Sequence, residues 1–240
     1  MTFDPDLFWQ AIFSQDFLHA AGITVSLAFL SQVVATVLGF FLALARTSGL
    51  KPLSGAASFY IWVWRAVPTL LWLLLIWNAL PQLIPSLTED WFSPFLAVLI
   101  GLSLAEAAYM AEILRSALLS VDPEQRLAAK ALGMTPAQSM RKVVLAQMIR
   151  IAIPPTGSEF ITVLKFTSLA SVISLQELLT VAQRNISATY RYAEFYAAAA
   201  VYYLVIVSVL MALQMRVERK YEWTTRRRVA VGTRVTREAA

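Results

Sequence analysis

The sequence predicts an all-α, polytopic membrane protein with five transmembrane helices, the N-terminus outside and the C-terminus in the cytoplasm. Three observations carry this. Hydrophobic residues make up 58% of the 240 and charged residues 15%, with a mean hydropathy of +0.63, the composition of a chain that lives in lipid. Apolar stretches recur at about 22–45, 57–80, 94–118, 155–181 and 194–215, each near the roughly 20 residues a helix needs to cross a bilayer. Lys and Arg follow the first and third stretches and fill the tail, whereas the N-terminus and the segment after the second stretch lack them. The positive-inside rule then places the basic segments in the cytoplasm. Only 182–193, with Arg184 and Arg191, departs modestly from that pattern.

Residues 1–21 form a segment before the first span. Its N-terminus carries Asp4 and Asp6 instead of the basic residues of a cleavable signal peptide. Residues 3–18 mix Phe8, Trp9, Ile12, Phe13 and Phe17 with acids, which fits a helix lying along a membrane surface. A short packed helix fits equally well. His19 reads as a helix-end residue. Gly22 to Ala45 has no ionisable group, and Arg46 and Lys51 follow in a turn-rich link. The second span contains Arg65 and Pro68; the proline permits a kink. Arg65 reads as snorkelling to the inner interface or as ion-paired, and Trp62 and Trp64 as interfacial anchors. The third span holds Glu106, Glu112 and Arg115. Glu112 and Arg115 are three apart and able to pair, and Gly101, Ala105, Ala108 and Glu112 recur at spacings that suit close helix packing.

The fourth span is the most polar, with Thr156, Ser158, Glu159, Thr162, Lys165, Thr167, Ser168, Ser171 and Ser174. A lipid-facing helix does not tolerate that density, so it lines a water-accessible path or a seam with a second copy. Glu106, Glu112, Glu159 and Lys165 are expensive in a membrane and are functional candidates on that ground. Glu159 and Lys165 lie about 240° apart around a helix and do not pair within the span. Asn185 begins a short polar loop, and the fifth span leads into a basic tail, 217–240. The tail's Arg226, Arg227, Arg228, Arg234 and Arg237 suit attraction to anionic lipid.

Asp122 to Gln147, DPEQRLAAKALGMTPAQSMRKVVLAQ, stands apart from the spans. Asp122-Pro123-Glu124-Gln125 reads as an N-cap, a proline at the first helical position and a capping-box glutamine. Leu127, Ala128, Ala131 and Leu132 fall on one face, with Arg126 and Lys130 away from it. Gly133 is a stop, and Thr135-Pro136-Ala137-Gln138 repeats the start signal. An apolar face on so short a helix in a basic loop either packs under its own bundle or docks on another protein.

These same residues carry a resemblance. Ala128-Ala129, then Gly133, then Val143 and Leu145 resemble the EAA motif of ABC importer permeases, the loop that meets the ATPase. The flanking blocks AYMAEILRSALLSVDPEQ and IRIAIPPTGSEFITVLKFTSLASVI are similar to permeases of the polar amino-acid and opine uptake family, and the likeness spans roughly 22–216. Leu127 stands where that family has the Glu of its motif, Ala146 where it usually has Pro, and Phe166 where it often has an acid. The resemblance implies the type I ABC importer fold of the methionine-permease kind and a non-catalytic subunit of a bacterial inner-membrane importer. It implies as partners a cytoplasmic ABC ATPase dimer holding ATP-Mg, a second permease, identical or homologous, and an extracytoplasmic amino-acid-binding protein. Carried onto this chain, Glu124, Leu127, Ala128, Ala129, Leu132 and Gly133 become the ATPase-coupling residues. Arg65, Glu106, Glu159, Thr162, Lys165 and Ser168 become candidates for the translocation path.

Other functions are disfavoured by what the chain holds. There is no cysteine and one histidine, poor material for disulfides or catalytic zinc. GMTPAQS lacks the Gly-Lys-Ser/Thr ending of a phosphate-binding loop. Eight of the twenty Lys and Arg residues lie from Arg216 onward and most others border apolar spans, which argues for lipid and against nucleic acid. An ion-coupled secondary transporter using Glu106, Glu159 and Lys165 is the alternative, although five spans do not divide into equal inverted halves. An intramembrane enzyme or scaffold is a further one.

Overall fold

The computed structural model describes residues 2–221, and the tail arginines from Arg226 onward lie outside the described residues. Among the described residues every regular element is helical. Three helices are long and apolar enough to cross a membrane, or up to five when each of two bent pairs counts as one span.

The amphipathic helix expected over 3–18 is divided. Asp4 caps α1 (Pro5–Ile12), accepting from the N–H groups of Asp6 and Leu7, and Ser14 caps α2 (Gln15–Thr47), accepting from Phe17 N–H at 3.3 Å. Two adjacent side-chain caps make a corner where the apolar pattern alone reads as continuous. α1 lies against the last helix: Tyr202 donates to the carbonyl of Ile12 at 2.7 Å, and Leu7, Phe8 and Ala11 join one cluster with Phe195 and Ala199. Trp9 and Phe13 remain exposed and stacked, with ring centroids 6.0 Å apart. At 33 residues, α2 is about 50 Å long and exceeds the hydrocarbon thickness.

The second apolar stretch is not one kinked helix. α3 (Lys51–Ala66) and α4 (Thr69–Leu74) meet at 98°. Val67 is extended, as a residue before proline prefers, and Trp64 and Trp72 stack 4.1 Å apart across the elbow. Trp64 is therefore a packing residue of the bend, a correction to its reading as a lipid anchor, whereas Trp62 is 65% exposed. A π-helical turn, Leu75–Ala79, leads into α5 (Leu80–Leu83).

α6 (Pro94–Leu119) is the centre of the molecule. It runs beside α2, and at Gly39 the two backbones approach so closely that an added Cβ would sit 2.7 Å from the Met110 Cβ. α7 (Pro123–Ala131) and α8 (Pro136–Ser139) follow, then a π-helical turn at Met140–Val144 that feeds α9 (Leu145–Phe166). The fourth helix thus begins well before the expected residue 155 and passes through Pro154 and Pro155. Membrane helices accommodate such prolines because neighbouring groups satisfy the freed backbone.

α9 tightens to a 3₁₀ segment, Thr167–Ile173, and breaks at Ser174, whose φ of 61° is left-handed. α10 (Leu178–Thr189) continues at a 42° bend. The polar loop expected from Asn185 is accordingly helical as far as Thr189, and the turn is confined to left-handed Tyr190 and Arg191 before α11 (Tyr192–Tyr221). Glu177, fully buried at the break, accepts from the N–H groups of Leu179 and Thr180 and from the hydroxyls of Thr180 and Tyr203. Four donors offset the cost of burying this carboxylate.

Candidate coupling helix and translocation path

α7 is built by its ends. Asp122 accepts from Glu124 N–H at 2.9 Å, with Pro123 at the first position. At the other end Gly133 has a φ of 74°, its N–H bonds to Lys130 O and the N–H of Met134 bonds to Ala129 O, both at 3.0 Å. That is the paired Schellman closure, which needs a left-handed residue and favours glycine. The capping box expected at Asp122 does not form: Gln125 turns inward and accepts from Gln147 Nε2 at 3.3 Å. The box expected at Thr135 forms in full with Gln138.

The helix holds its apolar face away from the bundle. Leu127 is 66% and Leu132 78% exposed, and Glu124, Ala128, Ala131 and Gly133 are exposed with them. The reading that this face packs under the chain's own spans is excluded. What faces inward is Ala129, 3% exposed, with Gln125 beside it. Ala129 is thus corrected from a contact residue to a supporting one, because it is packed against the chain itself while Leu127, Ala128 and Ala131 on the same helix, and Leu132 at its C-cap, are exposed.

The polar residues of the spans separate into two groups. Arg65, Glu106 and Glu159 come together, from three different helices. Glu106 is 3% exposed with an unpartnered Oε1, its carboxyl lies beside that of Glu159, and Glu159 lies within electrostatic reach of Arg65. The Arg65 guanidinium sits 5.2 Å from the Tyr109 ring centroid, a cation–π geometry. Lys165 and Ser168 lie further along, about 9 Å or more from Glu159 by helical rise. Lys165 is exposed and makes no ion pair among the described residues, and Ser168 donates to Lys165 O at 2.8 Å. Thr162 is spent on its own helix, donating to Ser158 O at 3.3 Å. Along α9, Pro155, Ser158, Lys165 and Phe166 are exposed and Glu159 and Thr162 half-buried, so the polar stripe lies open on the side of the subunit.

Glu112 pairs with Arg115 at 2.8 Å, as the spacing allows, and also with Arg46 from the end of α2. Arg46 counted in the sequence only as a topology signal, and a partner 66 positions away leaves no local trace. Gln214 was also missed: its Nε2 donates to Ser158 Oγ at 3.1 Å and to Pro154 O at 3.3 Å, and its side chain fills the space beside Gly157. The isolated polar residue in the last apolar stretch was the available signal. Among the described residues no three His, Cys, Asp or Glu side chains come together to hold a metal ion.

A bundle of apolar helices with a polar stripe on one side and a capped helix displayed outside it defines a multi-pass membrane transport subunit. The chain belongs to the family of binding-protein-dependent transport system inner membrane components, whose model matches residues 35–223, and is thus a permease of the bacterial plasma membrane. It is 40% identical over 202 residues, 84% of this chain and 89% of the other, to a probable amino-acid permease protein, YxeN, of Bacillus subtilis. It is 38% identical to the arginine transport system permease protein ArgU of Corynebacterium glutamicum, covering 90% of this chain and 72% of that one. A crystal structure of an amino acid ABC transporter with histidines superposes at a TM-score of 0.81 and 36% identity, over 92% of this chain and 100% of the other. The inward-facing MetNI methionine ABC transporter, at 18% identity and a TM-score of 0.69, shares the fold.

Proposed function

We propose that the chain is the membrane-spanning permease of an ATP-driven amino-acid importer, with five spans, the N-terminus outside and the C-terminus in the cytoplasm. The two bent helix pairs count as the second and fourth spans, and the positive-inside rule sets the orientation. A second permease, identical or homologous, faces the open polar stripe of α9. Arg65, Glu106, Glu159, Thr162, Lys165 and Ser168 then border the path between the two. An extracytoplasmic binding protein delivers the amino acid, and ATP-Mg is bound by the partner ATPase.

The observation that carries this reading is the outward apolar face of α7. A helix fixed by a cap at each end, exposing Leu127 and Leu132 beside Ala128 and Ala131, has the form of a rigid plug for a cleft on an ATPase. Glu124 and Gly133 flank that face, and Ala129 holds it in place. Closure of the two ATPases on ATP moves the plugs and switches the paired permeases from inward to outward opening.

The test is co-purification from the native membrane of the tagged wild type and of Ala128→Arg/Leu132→Arg. An ATPase is expected with the wild type and absent from the double variant at equal expression. An ATPase retained by the variant removes α7 as the coupling element. No ATPase with either removes the importer reading.

A further inference from the structure

Beyond the polar stripe of α9, the subunit carries a polar cavity that shares only Arg65 with the residues placed along the path. It measures about 660 Å³ and lies between α2, α3 and α6, walled by Arg46, Ser58, Trp62, Arg65, Tyr109 and Glu112. That volume falls within the roughly 300–1,000 Å³ of small-molecule sites.

Its charge is unbalanced. Among the described residues Glu112 is the only acid in the wall, and it is already shared between Arg46 and, through its other oxygen, Arg115. The carboxylate thus has both oxygens occupied while two guanidiniums, Arg46 and Arg65, face the cavity. Arg65 makes no ion pair within 4.0 Å among the described residues and rests on the Tyr109 ring, with Glu159 at longer electrostatic range. A ring face satisfies part of a guanidinium's charge but none of its five N–H donors. The arrangement presents a fork of donors, an excess of positive charge and an aromatic wall from Trp62, half lipid-like and half polar. Arginine forks match a carboxylate in a paired geometry.

We propose that this cavity is a release-side subsite that takes the α-carboxylate of the imported amino acid, between Arg65 and Arg46, after the molecule has left the α9 stripe. The inference rests on the importer reading. Arg65 joins the two places, reaching Glu159 of the stripe electrostatically and forming the wall of the cavity, whereas Arg46 marks the cytoplasmic end of α2. A carboxylate moving from one to the other travels toward a less acidic and more basic surrounding, where the one carboxylate, Glu112, is already held by two arginines. The other source of one anionic group is a lipid phosphate, which would enter past the exposed ring of Trp62.

The experiment uses the permease with its ATPase, without nucleotide, in phosphatidylcholine nanodiscs. Tryptophan emission is followed as L-arginine, L-glutamine and L-glutamate, and the α-carboxamide of each, are titrated into the millimolar range; Trp62→Phe assigns the signal. At least one amino acid is expected to shift Trp62 emission, with its carboxamide about tenfold weaker, the weight of one charge-assisted hydrogen bond. Arg65→Gln and Arg46→Gln are each expected to weaken binding about tenfold, and Arg65→Lys less. Melting of each variant reports folding, and the two arginines are read separately, so a misfolded Arg65→Gln leaves Arg46→Gln and Arg65→Lys to decide.

The proposal is overturned if no amino acid shifts the emission, if the carboxamides bind equally, or if the shift survives Trp62→Phe. It is also overturned if phosphatidylglycerol alone produces the shift and excludes the amino acids, which would assign the site to lipid. Retention of the ATPase by Arg65→Gln in any of these cases leaves the importer reading standing while the subsite falls.

Discussion

α6 and α11 look alike as apolar stretches and behave in opposite ways. Over their most apolar windows the mean hydropathy is 1.7 for α6 and 2.2 for α11, yet 61% of the α6 window is buried and 11% of the α11 window. The more hydrophobic helix is the more peripheral one. Between helices in lipid there is little hydrophobic driving force, because lipid tails are as apolar as leucine, and close approach of small residues supplies the dispersion contacts. α6 offers Gly101, Ala105, Ala107, Ala108 and Ala111 to its neighbours, and Gly39 of α2 completes the fit. α11 turns Leu204, Val205, Val209 and Leu213 outward, each about half exposed or more.

The largest expected effect is at the tightest point of that seam. Gly39→Leu places a side chain where a Cβ alone would be 2.7 Å from the Met110 Cβ and 2.9 Å from the Ala111 backbone N. Backbone cannot yield as a side chain does, so a loss of about 3 kcal/mol or more is expected, read as failure to accumulate in the membrane. Normal accumulation and melting would mean the two helices are not packed as closely as described.

Gly101→Ala is expected to cost less, about 1 kcal/mol. Its new methyl meets the Leu73 Cδ2 at 2.5 Å, but that is the end of a flexible side chain. A lowered melting midpoint in detergent with preserved expression is the expected reading. Glu112→Gln removes the shared partner of Arg46 and Arg115; these groups are partly exposed, so about 1 kcal/mol or less is expected, shrinking as salt is raised. An effect independent of salt would show that packing, not charge, holds this corner.

The smallest effect belongs to α11. Leu204, 67% exposed, is expected to change stability by no more than about 0.5 kcal/mol when replaced by Ala. A cost equal to that of Gly101→Ala would mean that this face is covered by another chain in the assembled transporter, and would narrow the contrast between the two helices.

Much of this was readable locally. Asp122, Pro123 and Gly133 act within one or two turns, so their roles followed from short-range rules, as did the Thr135–Gln138 box and the Glu112–Arg115 pair. The box at Asp122 failed for a long-range reason: Gln125 was taken by Gln147. The division of residues 3–18 was equally concealed, because the apolar residues run on through the corner that Ser14 makes. Pro68 announced a bend but not its size, and the stacking of Trp64 on Trp72 across the 98° elbow is a contact between residues eight apart that the proline alone does not signal. In the candidate path, residue types gave Arg65, Glu106 and Glu159 as unusual, and nothing local joined them.

The sequence by itself determined the helical class, the places of the apolar stretches, the motif in the loop after the third stretch and the ends of α7, because hydropathy, backbone propensity and capping act between near neighbours. Only the tertiary structure decided that α2 and α6 form the centre and that the apolar face of α7 points outward with Ala129 beneath it. It alone joined Arg46 to Glu112 and set Arg65 over Tyr109. Those are choices among partners dozens of residues apart, and they rest on shape and on the sharing of a few charges, which no single stretch of chain contains.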